Sequence, residues 1–161
     1  MIVKVCLAAT IVFAFAAGSA SAMMNGLEGQ WRGKGSAFVN SLGDIRAGCR
    51  FSVDETPTQV MMDGSCGIGP LRGSLGLKLN ISDNGSVRGT YTGSRSGPAE
   101  LMGRISGDTL RMQINWAGEV NGDLSAEMVL RRTGENSFSQ TVIDQVDGQS
   151  RRTSEFQFVR Q

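Results

Sequence analysis

A two-residue alternation of apolar and polar side chains, interrupted at short intervals by Gly, Pro, Asn and Asp, constrains this chain more than any other feature. The clearest case is segment 71–81, in which Leu75, Leu77 and Leu79 alternate with polar or small residues. Successive side chains of a strand point to opposite faces, so this period predicts strands with one apolar face, and no segment has a convincing helical period. Antiparallel strands of this kind need closure or a second sheet. We therefore predict an all-β chain that forms a closed antiparallel up-and-down barrel of about 8–10 strands.

Two cysteines fall on one apolar face of a predicted hairpin. A turn at 57–58 aligns three pairs on this face: Val53 with Met62, Phe51 with Gly64, and Cys49 with Cys66. Cysteines of an exported chain pair by default, and this register brings the two sulfurs together without adjustment. A metal or redox pair is the alternative, but the chain has no Cys-x-x-Cys. We predict one disulfide, Cys49–Cys66, which contributes about 3 kcal/mol in the chain-entropy description.

Residues 1–22 have the pattern of a cleavable signal peptide. Lys4 provides the positive start, and Val5–Ala17 is an apolar stretch shorter than the ~20 residues of a membrane-spanning helix. Ala20-Ser21-Ala22 offers the small residues that a signal peptidase recognises. We expect cleavage after Ala22, a single barrel domain over 23–161, and a periplasmic or secreted location. The alternative is an uncleaved N-terminal anchor; we expect no other segment to span a membrane.

Composition removes several classes of function. The chain has no histidine, which excludes Ser-His-Asp and Cys-His catalysis, histidine-ligated haem and the usual zinc sites. It has 16 Lys and Arg against 15 Asp and Glu, and Lys4 belongs to the leader, so residues 23–161 carry no net charge. This balance argues against nucleic-acid binding through bulk charge. No pair of carboxylates is spaced for acid–base catalysis. We expect a protein that is not an enzyme, with no catalytic residue, no metal and no cofactor.

The polar faces of the predicted strands are basic. Arg32, Lys34, Arg46 and Arg50 are examples, and nearly every strand carries at least one such residue. A membrane barrel would turn its apolar set outward, with aromatic girdles at both interfaces. The apolar faces here are rich in Leu, Met and Gly, and glycine is useful where strands coil inside a tight barrel. We therefore expect a soluble barrel with its apolar set inward; a membrane barrel is the alternative.

The segment Gly29-Gln30-Trp31 on the first strand, together with Arg160 at the end of the last, resembles the calycin superfamily of lipocalins, fatty-acid-binding proteins and avidins. In those families a Gly-x-Trp packs beneath an arginine from the closing strand and seals one end of the barrel. The resemblance implies that Gly29, Trp31 and Arg160 form a structural plug and that the mouth lies at the other end. The two-helix lid of fatty-acid-binding proteins has no counterpart in this sequence.

Candidate ligand-binding residues gather at the predicted mouth. The longer loops expected there are 40–44, 93–98 and 117–123. A three-residue turn at Asp147 would set Asp144 opposite Arg152 on the inner face. Trp116 would lie at the same level, with Tyr91 a little deeper. An inward arginine near aromatic rings suits the head group of an anionic or amphipathic ligand. The alternative is a rim ion pair that joins two strands and binds nothing, which is the commoner role of such pairs.

Two functions are compatible with these features. The first is a lipocalin-like periplasmic or secreted binding protein for a small amphipathic or hydrophobic ligand. The second is a periplasmic inhibitor or protein-interaction module that binds an envelope protein through mouth loops such as 94–98. The inward set is bulky enough to fill the barrel, as the second function would allow. Interior volume separates them, because an open cavity of ~300 Å³ or more favours a ligand carrier.

Overall fold

The computed structural model describes residues 24–161, and the segment predicted to be a signal peptide, with its cleavage after Ala22, lies outside them. The described residues contain no helix that is long and apolar enough to cross a membrane. Ten strands follow one another: β1 (Gly29–Val39), β2 (Gly43–Thr56), β3 (Gln59–Ile68), β4 (Leu71–Ile81), β5 (Ser86–Thr92), β6 (Ala99–Ser106), β7 (Thr109–Val120), β8 (Asp123–Gly134), β9 (Ser137–Val146) and β10 (Gln149–Arg160).

The strands form a closed antiparallel barrel, as the alternation predicts. Each strand pairs with the next along the chain, and β1 pairs with β10 to close the ring. The closing ladder runs from Trp31 opposite Arg160 to Ala37 opposite Ser154. We call the end that holds Trp31 the closed end; the β2–β3, β4–β5, β6–β7 and β8–β9 turns lie there. The other five turns form the open end.

The predicted register of the β2–β3 hairpin is confirmed. Cys49 lies opposite Cys66, Phe51 opposite Gly64, and Val53 opposite Met62. The two cysteines form the disulfide. A disulfide fits a periplasmic or extracellular location, where the environment is oxidising. The apolar face therefore determined the register, because a slip by one residue would have turned the whole set outward.

The predicted register of the β9–β10 hairpin is wrong. The turn has two residues, Asp147 and Gly148, with φ of 53° and 74°, and these positive values fit the tight turn preferred between antiparallel strands. Asp144 consequently lies opposite Arg151, and Arg152 lies opposite Ile143. Arg152 points outward and forms an ion pair with Glu155 at 2.9 Å.

A β-bulge in β10 restores the inward phase of the strand. The register shifts between Arg152 and Ser154, which leaves Thr153 as the extra residue. Thr153 is buried at the position where an inward arginine was predicted. Beyond the bulge, Phe156 and Phe158 face the core as expected.

The predicted loop over 117–123 is also wrong. Strand β7 continues to Val120, and only residues 121–122 form the turn. The pairing of β7 with β8 is interrupted between Asn115, which lies opposite Ser125, and Val120, which lies opposite Asp123. Residues 116–119 therefore leave the ladder, and we call them the β7 excursion.

Candidate functional site

The closed end is a packed plug around Trp31. Its side chain is 1% exposed, and its indole Nε1 donates a hydrogen bond to the carbonyl of Leu27 at 2.7 Å. The Arg160 guanidinium carbon lies 4.6 Å from the indole ring centre, and the Phe138 ring meets the indole edge-on at 4.9 Å. Gly29 has φ of 125°, and a Cβ there would lie 2.9 Å from Arg160 Nη1. These contacts bring Gly29, Trp31 and Arg160 together at one end of the barrel.

The segment 24–28 covers this plug. The Glu55 carboxylate accepts hydrogen bonds from the backbone N–H groups of Gly26, Leu27 and Glu28. Arg160 donates to the carbonyls of Gly26 and Glu28. Arg132 also donates to the carbonyl of Gly26, although its Nε is buried without a partner among the described residues. The Glu55 carboxylate and the Arg160 guanidinium are thus engaged by the segment itself.

Above the plug, the barrel encloses an apolar chamber of about 420 Å³. Its lining includes Cys49, Phe51, Met62, Leu75, Leu77, Leu130, Phe138, Phe156 and Phe158. The phenyl rings do not fill it, because some lie against glycines on the neighbouring strand. Phe158 is opposite Gly33, where a Cβ would lie only 2.2 Å from the ring. Phe51 is opposite Gly64 in the same way. Cross-strand glycine thus makes room for a ring against the wall.

The chamber continues into a wider cavity of about 590 Å³ at the open end. Tyr91, Arg95, Gln140 and Ser154 line both spaces. Gln140 accepts a hydrogen bond from the Ser154 hydroxyl at 3.4 Å, which gives the junction between the two a polar belt. The interior is therefore apolar at depth and polar toward the mouth, as small-molecule sites commonly are.

Trp116 and Tyr91 form one wall of the mouth. Their rings meet edge-on at 6.3 Å. The Trp116 Nε1–H is buried and has no hydrogen-bond partner among the described residues. Burial raises the pKa of the Tyr91 phenol, so its hydroxyl keeps its proton over a wide pH range. Buried donors are nearly always paired, so the free indole N–H is a position for an acceptor atom.

The β7 excursion and the β5–β6 loop (93–98) fold side by side over this wall. A Cβ on Gly97 would lie 3.5 Å from Cβ of Ala117, and one on Gly118 would lie 3.5 Å from Cβ of Ser96. Arg95 and Trp116, one from each segment, line the same cavity at the mouth. Arg95 is exposed and forms no ion pair within residues 24–161.

Asp144 lines the mouth cavity but has a different partner from the one predicted. It is buried and accepts hydrogen bonds from Nδ2 of Asn121 at 2.9 Å and from the backbone N–H of Gln145 at 2.8 Å. Burial raises the pKa of this carboxyl, although both hydrogen bonds act in the opposite direction. The carboxylate therefore holds the β7–β8 turn in place.

Three of the four candidate ligand-binding residues come together at the mouth, namely Tyr91, Trp116 and Asp144. The fourth, Arg152, lies on the outer wall. The cation that lines the cavity is Arg95, which the sequence analysis placed only in a loop for protein contacts. Within residues 24–161, no cluster of three potential metal-ligating side chains of the His, Cys, Asp or Glu type is found.

Comparison with known proteins supports the fold and goes no further. No protein-family model matches the chain, and no curated protein matches its sequence. Among solved structures, the crystal structure of Rv2717c from M. tuberculosis matches with a TM-score of 0.65 and 14% sequence identity, over 88% of this chain and 97% of that one. At this identity the likeness shows a shared fold alone.

Proposed function

We propose that this protein is a non-enzymatic binding protein that holds a small amphipathic ligand inside its barrel. The observation that carries the proposal is the continuous interior space, with an apolar chamber of about 420 Å³ below a polar mouth. This volume is within the range of ~300–1,000 Å³ that is typical of small-molecule sites. The calycin-like plug of Trp31 and Arg160 supports the same function, since it leaves access from one end only.

The apolar body of the ligand would occupy the lower chamber. Leu75, Leu77 and Leu130 line it together with phenyl rings and the disulfide. A chain or ring that enters this space removes apolar surface from water on both sides, at about 25 cal/mol per Å² before the cost of association is subtracted. The chamber holds few polar groups, so a ligand that is polar throughout would lose its hydration without replacement bonds.

The head group would lie at the mouth and carry negative charge or strong acceptor atoms. Among residues 24–161, Arg95 has no carboxylate partner and the buried N–H of Trp116 has no acceptor, so both are available to a ligand. The protonated Tyr91 hydroxyl adds a third donor. A carboxylate accepts from all three types of donor, and its pairing with an arginine strengthens as the ligand excludes water.

Titration with dodecanoate and dodecanol tests this proposal, because the two probes share an apolar chain and differ in head group. We expect both to bind, with dodecanoate tighter. Arg95→Gln should weaken dodecanoate about tenfold, which is about 1.4 kcal/mol, and leave dodecanol unchanged. Arg152→Gln is the matched control: it removes an arginine from the outer wall and should change neither affinity. Isothermal titration calorimetry measures all of these values.

Failure of both probes to bind would contradict the ligand-carrier function. Equal loss of dodecanoate affinity in Arg95→Gln and Arg152→Gln would contradict the role of Arg95. The alternative of an inhibitor or interaction module with a filled barrel finds no support in the open chamber. Native mass spectrometry of protein purified from its source compartment provides an independent measurement, since a copurified small amphiphile supports the carrier and a stoichiometric protein partner contradicts it.

A further inference from the structure

Three large aliphatic side chains are exposed at the tips of two neighbouring hairpins of the open end. Leu42, in the β1–β2 turn, is 70% exposed. Ile68 and Leu71 flank the β3–β4 turn and are 47% and 80% exposed. The two hairpins are adjacent, because β2 pairs with β3. A single exposed leucine needs no explanation, but here Ile68 and Leu71 lie directly opposite each other and Leu42 is on the adjacent hairpin, so this side of the open end presents several exposed aliphatic side chains.

Cations lie directly below these tips on the outer wall. Lys34 and Arg46 are exposed, and together with Ile68 they line one shallow groove of about 680 Å³. Arg72, next to Leu71, donates to the carbonyl of Gly48, which lies in the same groove. None of these three cations forms an ion pair with an acidic residue within the part of the chain that the structure describes.

The two acidic residues nearest the open end of this wall are already engaged, whereas Asp54 and Asp63 lie farther down β2 and β3. Asp44 pairs with Arg151 at 2.8 Å, and Glu155 pairs with Arg152 at 2.9 Å. Farther down the wall the positive charge continues, because Arg32 lies directly opposite Arg50 on the neighbouring strand. Like charges placed opposite each other destabilise a strand pair unless an anion compensates them. The part of the wall nearest the open end therefore presents positive charge that is unpaired among the described residues, beside exposed aliphatic side chains.

We propose that this face, made of Leu42, Ile68 and Leu71 with Lys34, Arg46 and Arg72, docks on the surface of an anionic lipid bilayer. The aliphatic tips would enter the headgroup region, and the cations would meet lipid phosphates. A few inserted side chains plus basic residues suffice for reversible binding to a bilayer, with each cation contributing about fivefold. A stable protein interface needs roughly 1,000 Å² of complementary surface, which three side chains on two hairpin tips do not provide.

The docking face is distinct from the proposed ligand site. It lies on β1–β4, whereas Arg95 and Trp116 lie on the β5–β6 loop and the β7 excursion. Both are at the open end, so docking would bring the mouth close to the bilayer. The inference does not depend on the ligand-carrier function, because it stands on exposed residues that line no part of the apolar chamber.

Co-sedimentation of the purified protein with vesicles tests the proposal. We expect binding to vesicles of phosphatidylcholine mixed with phosphatidylglycerol and little binding to phosphatidylcholine alone. Raising the salt from about 0.1 M to about 0.5 M should release most of the bound protein, because the Debye length becomes shorter than the charge separation. Equal binding to both vesicle types, or binding to neither, would overturn the proposal.

Matched variants show whether binding uses this face. Leu42→Ser combined with Leu71→Ser should lower vesicle binding by at least about tenfold. Arg46→Glu should lower it by about tenfold or more, because it replaces attraction with repulsion. Val159→Ser changes an exposed valine of the closed end, and Arg88→Glu changes a cation on β5; both should bind as the parent does. If the controls lose as much binding as the docking-face variants, or if the face mediates self-association without lipid, the proposal is wrong.

Discussion

The two tryptophans of this chain lie at opposite ends of one barrel, and they differ in the hydrogen bonding of the indole N–H. The indole N–H of Trp31 has a carbonyl partner at 2.7 Å, whereas that of Trp116 is buried without a partner in the part of the chain that the structure describes. The arginines beside them differ in the same way. Arg160 is held by backbone carbonyls, and Arg95 forms no ion pair within residues 24–161. The polar groups around Trp31 thus have partners, although Arg132 Nε at the same end is buried without one among residues 24–161; at the open end the unpartnered donor belongs to a residue that lines the cavity.

The largest expected effect is the loss of stability on truncating Trp31. Trp31→Ala removes a fully buried side chain together with its contacts to Arg160 and Phe138, so we expect a loss of about 3–5 kcal/mol in the free energy of unfolding. Trp116→Phe keeps an aromatic ring at a half-buried position and removes the free N–H with part of the indole, so it should cost less than about 1.5 kcal/mol. Urea denaturation followed by circular dichroism measures both.

In ligand binding we expect the opposite ranking: Trp116→Phe should lower the affinity more than Trp31→Ala does. Trp116→Phe should weaken dodecanoate, because it removes a donor at the mouth. A loss below about 1 kcal/mol for Trp31→Ala would mean that Trp31 does not seal the barrel. A loss for Trp116→Phe as large as that for Trp31→Ala would mean that the two ends are equally structural, and the comparison would fail.

The all-β barrel and the register of the β2–β3 hairpin were the parts that the sequence could predict. Side chains alternate with a period of two, so burial of one face allows only one register for strands such as those around Cys49 and Cys66. The resemblance at Gly29, Trp31 and Arg160 depends on residues within or next to regular strands. The face of the barrel wall on which each of these residues lies follows from the alternation of side chains along its strand, so no turn geometry is needed to predict it.

The positions of the side chains at the open end could not be predicted from the sequence, because they depend on turn lengths and on a β-bulge. A two-residue turn at Asp147 in place of a three-residue one moved Arg152 to the outer wall. The bulge at Thr153 then turned Phe156 back toward the core. The alternation of apolar and polar residues farther along β10 therefore did not reveal that the turn had been predicted with the wrong length. Arg95 reaches the mouth only because its loop packs against the β7 excursion, a contact between segments that period and composition do not report.

The volume of the chamber inside the barrel also could not be predicted from the residue pattern. Bulky inward residues suggested a filled barrel, but phenyl rings lie against cross-strand glycines and leave the chamber open. Gly33→Ala tests this arrangement, because its Cβ would lie 2.2 Å from Phe158 Cε1 and must push the ring inward. We expect a loss of about 1–3 kcal/mol in stability. Affinity for both dodecanoate and dodecanol should fall, since the chamber becomes smaller.

Gly48→Ala is the matched control for Gly33→Ala. Gly48 lies on the outer wall, and the nearest atom to a Cβ there would be 3.8 Å away. We expect no loss of stability and no change in the affinity for either probe. If Gly33→Ala leaves both affinities unchanged while the protein stays folded, the ligand does not occupy the lower chamber.

The smallest expected effect is a pH dependence of the free energy of unfolding, whose sign differs between a carboxyl of the open end and one of the closed end. Asp144, at the open end, has its pKa raised by burial, so the native state holds the proton more tightly than the unfolded chain. Its contribution to stability falls as the pH rises from the unfolded pKa through the raised folded pKa. Asp108, in the β6–β7 turn of the closed end, has its pKa lowered by the hydrogen bond from Thr109 and by the charge of Arg131. Its contribution is present above the unfolded pKa and is lost as the pH falls through the folded one.

Substitution of each aspartate by asparagine should therefore change the slope of stability against pH in opposite directions. Between about pH 3 and about pH 7, Asp144→Asn should remove a decline in the free energy of unfolding, and Asp108→Asn should remove a rise. Asparagine at 144 can still accept from Asn121 through its carbonyl oxygen, so the β7–β8 turn should stay intact. Urea denaturation at a series of pH values measures both slopes. Changes of the same sign in the two variants would contradict the contrast, because they would mean that the carboxyl at the mouth is as well compensated in its ionised form as the one on the exposed turn.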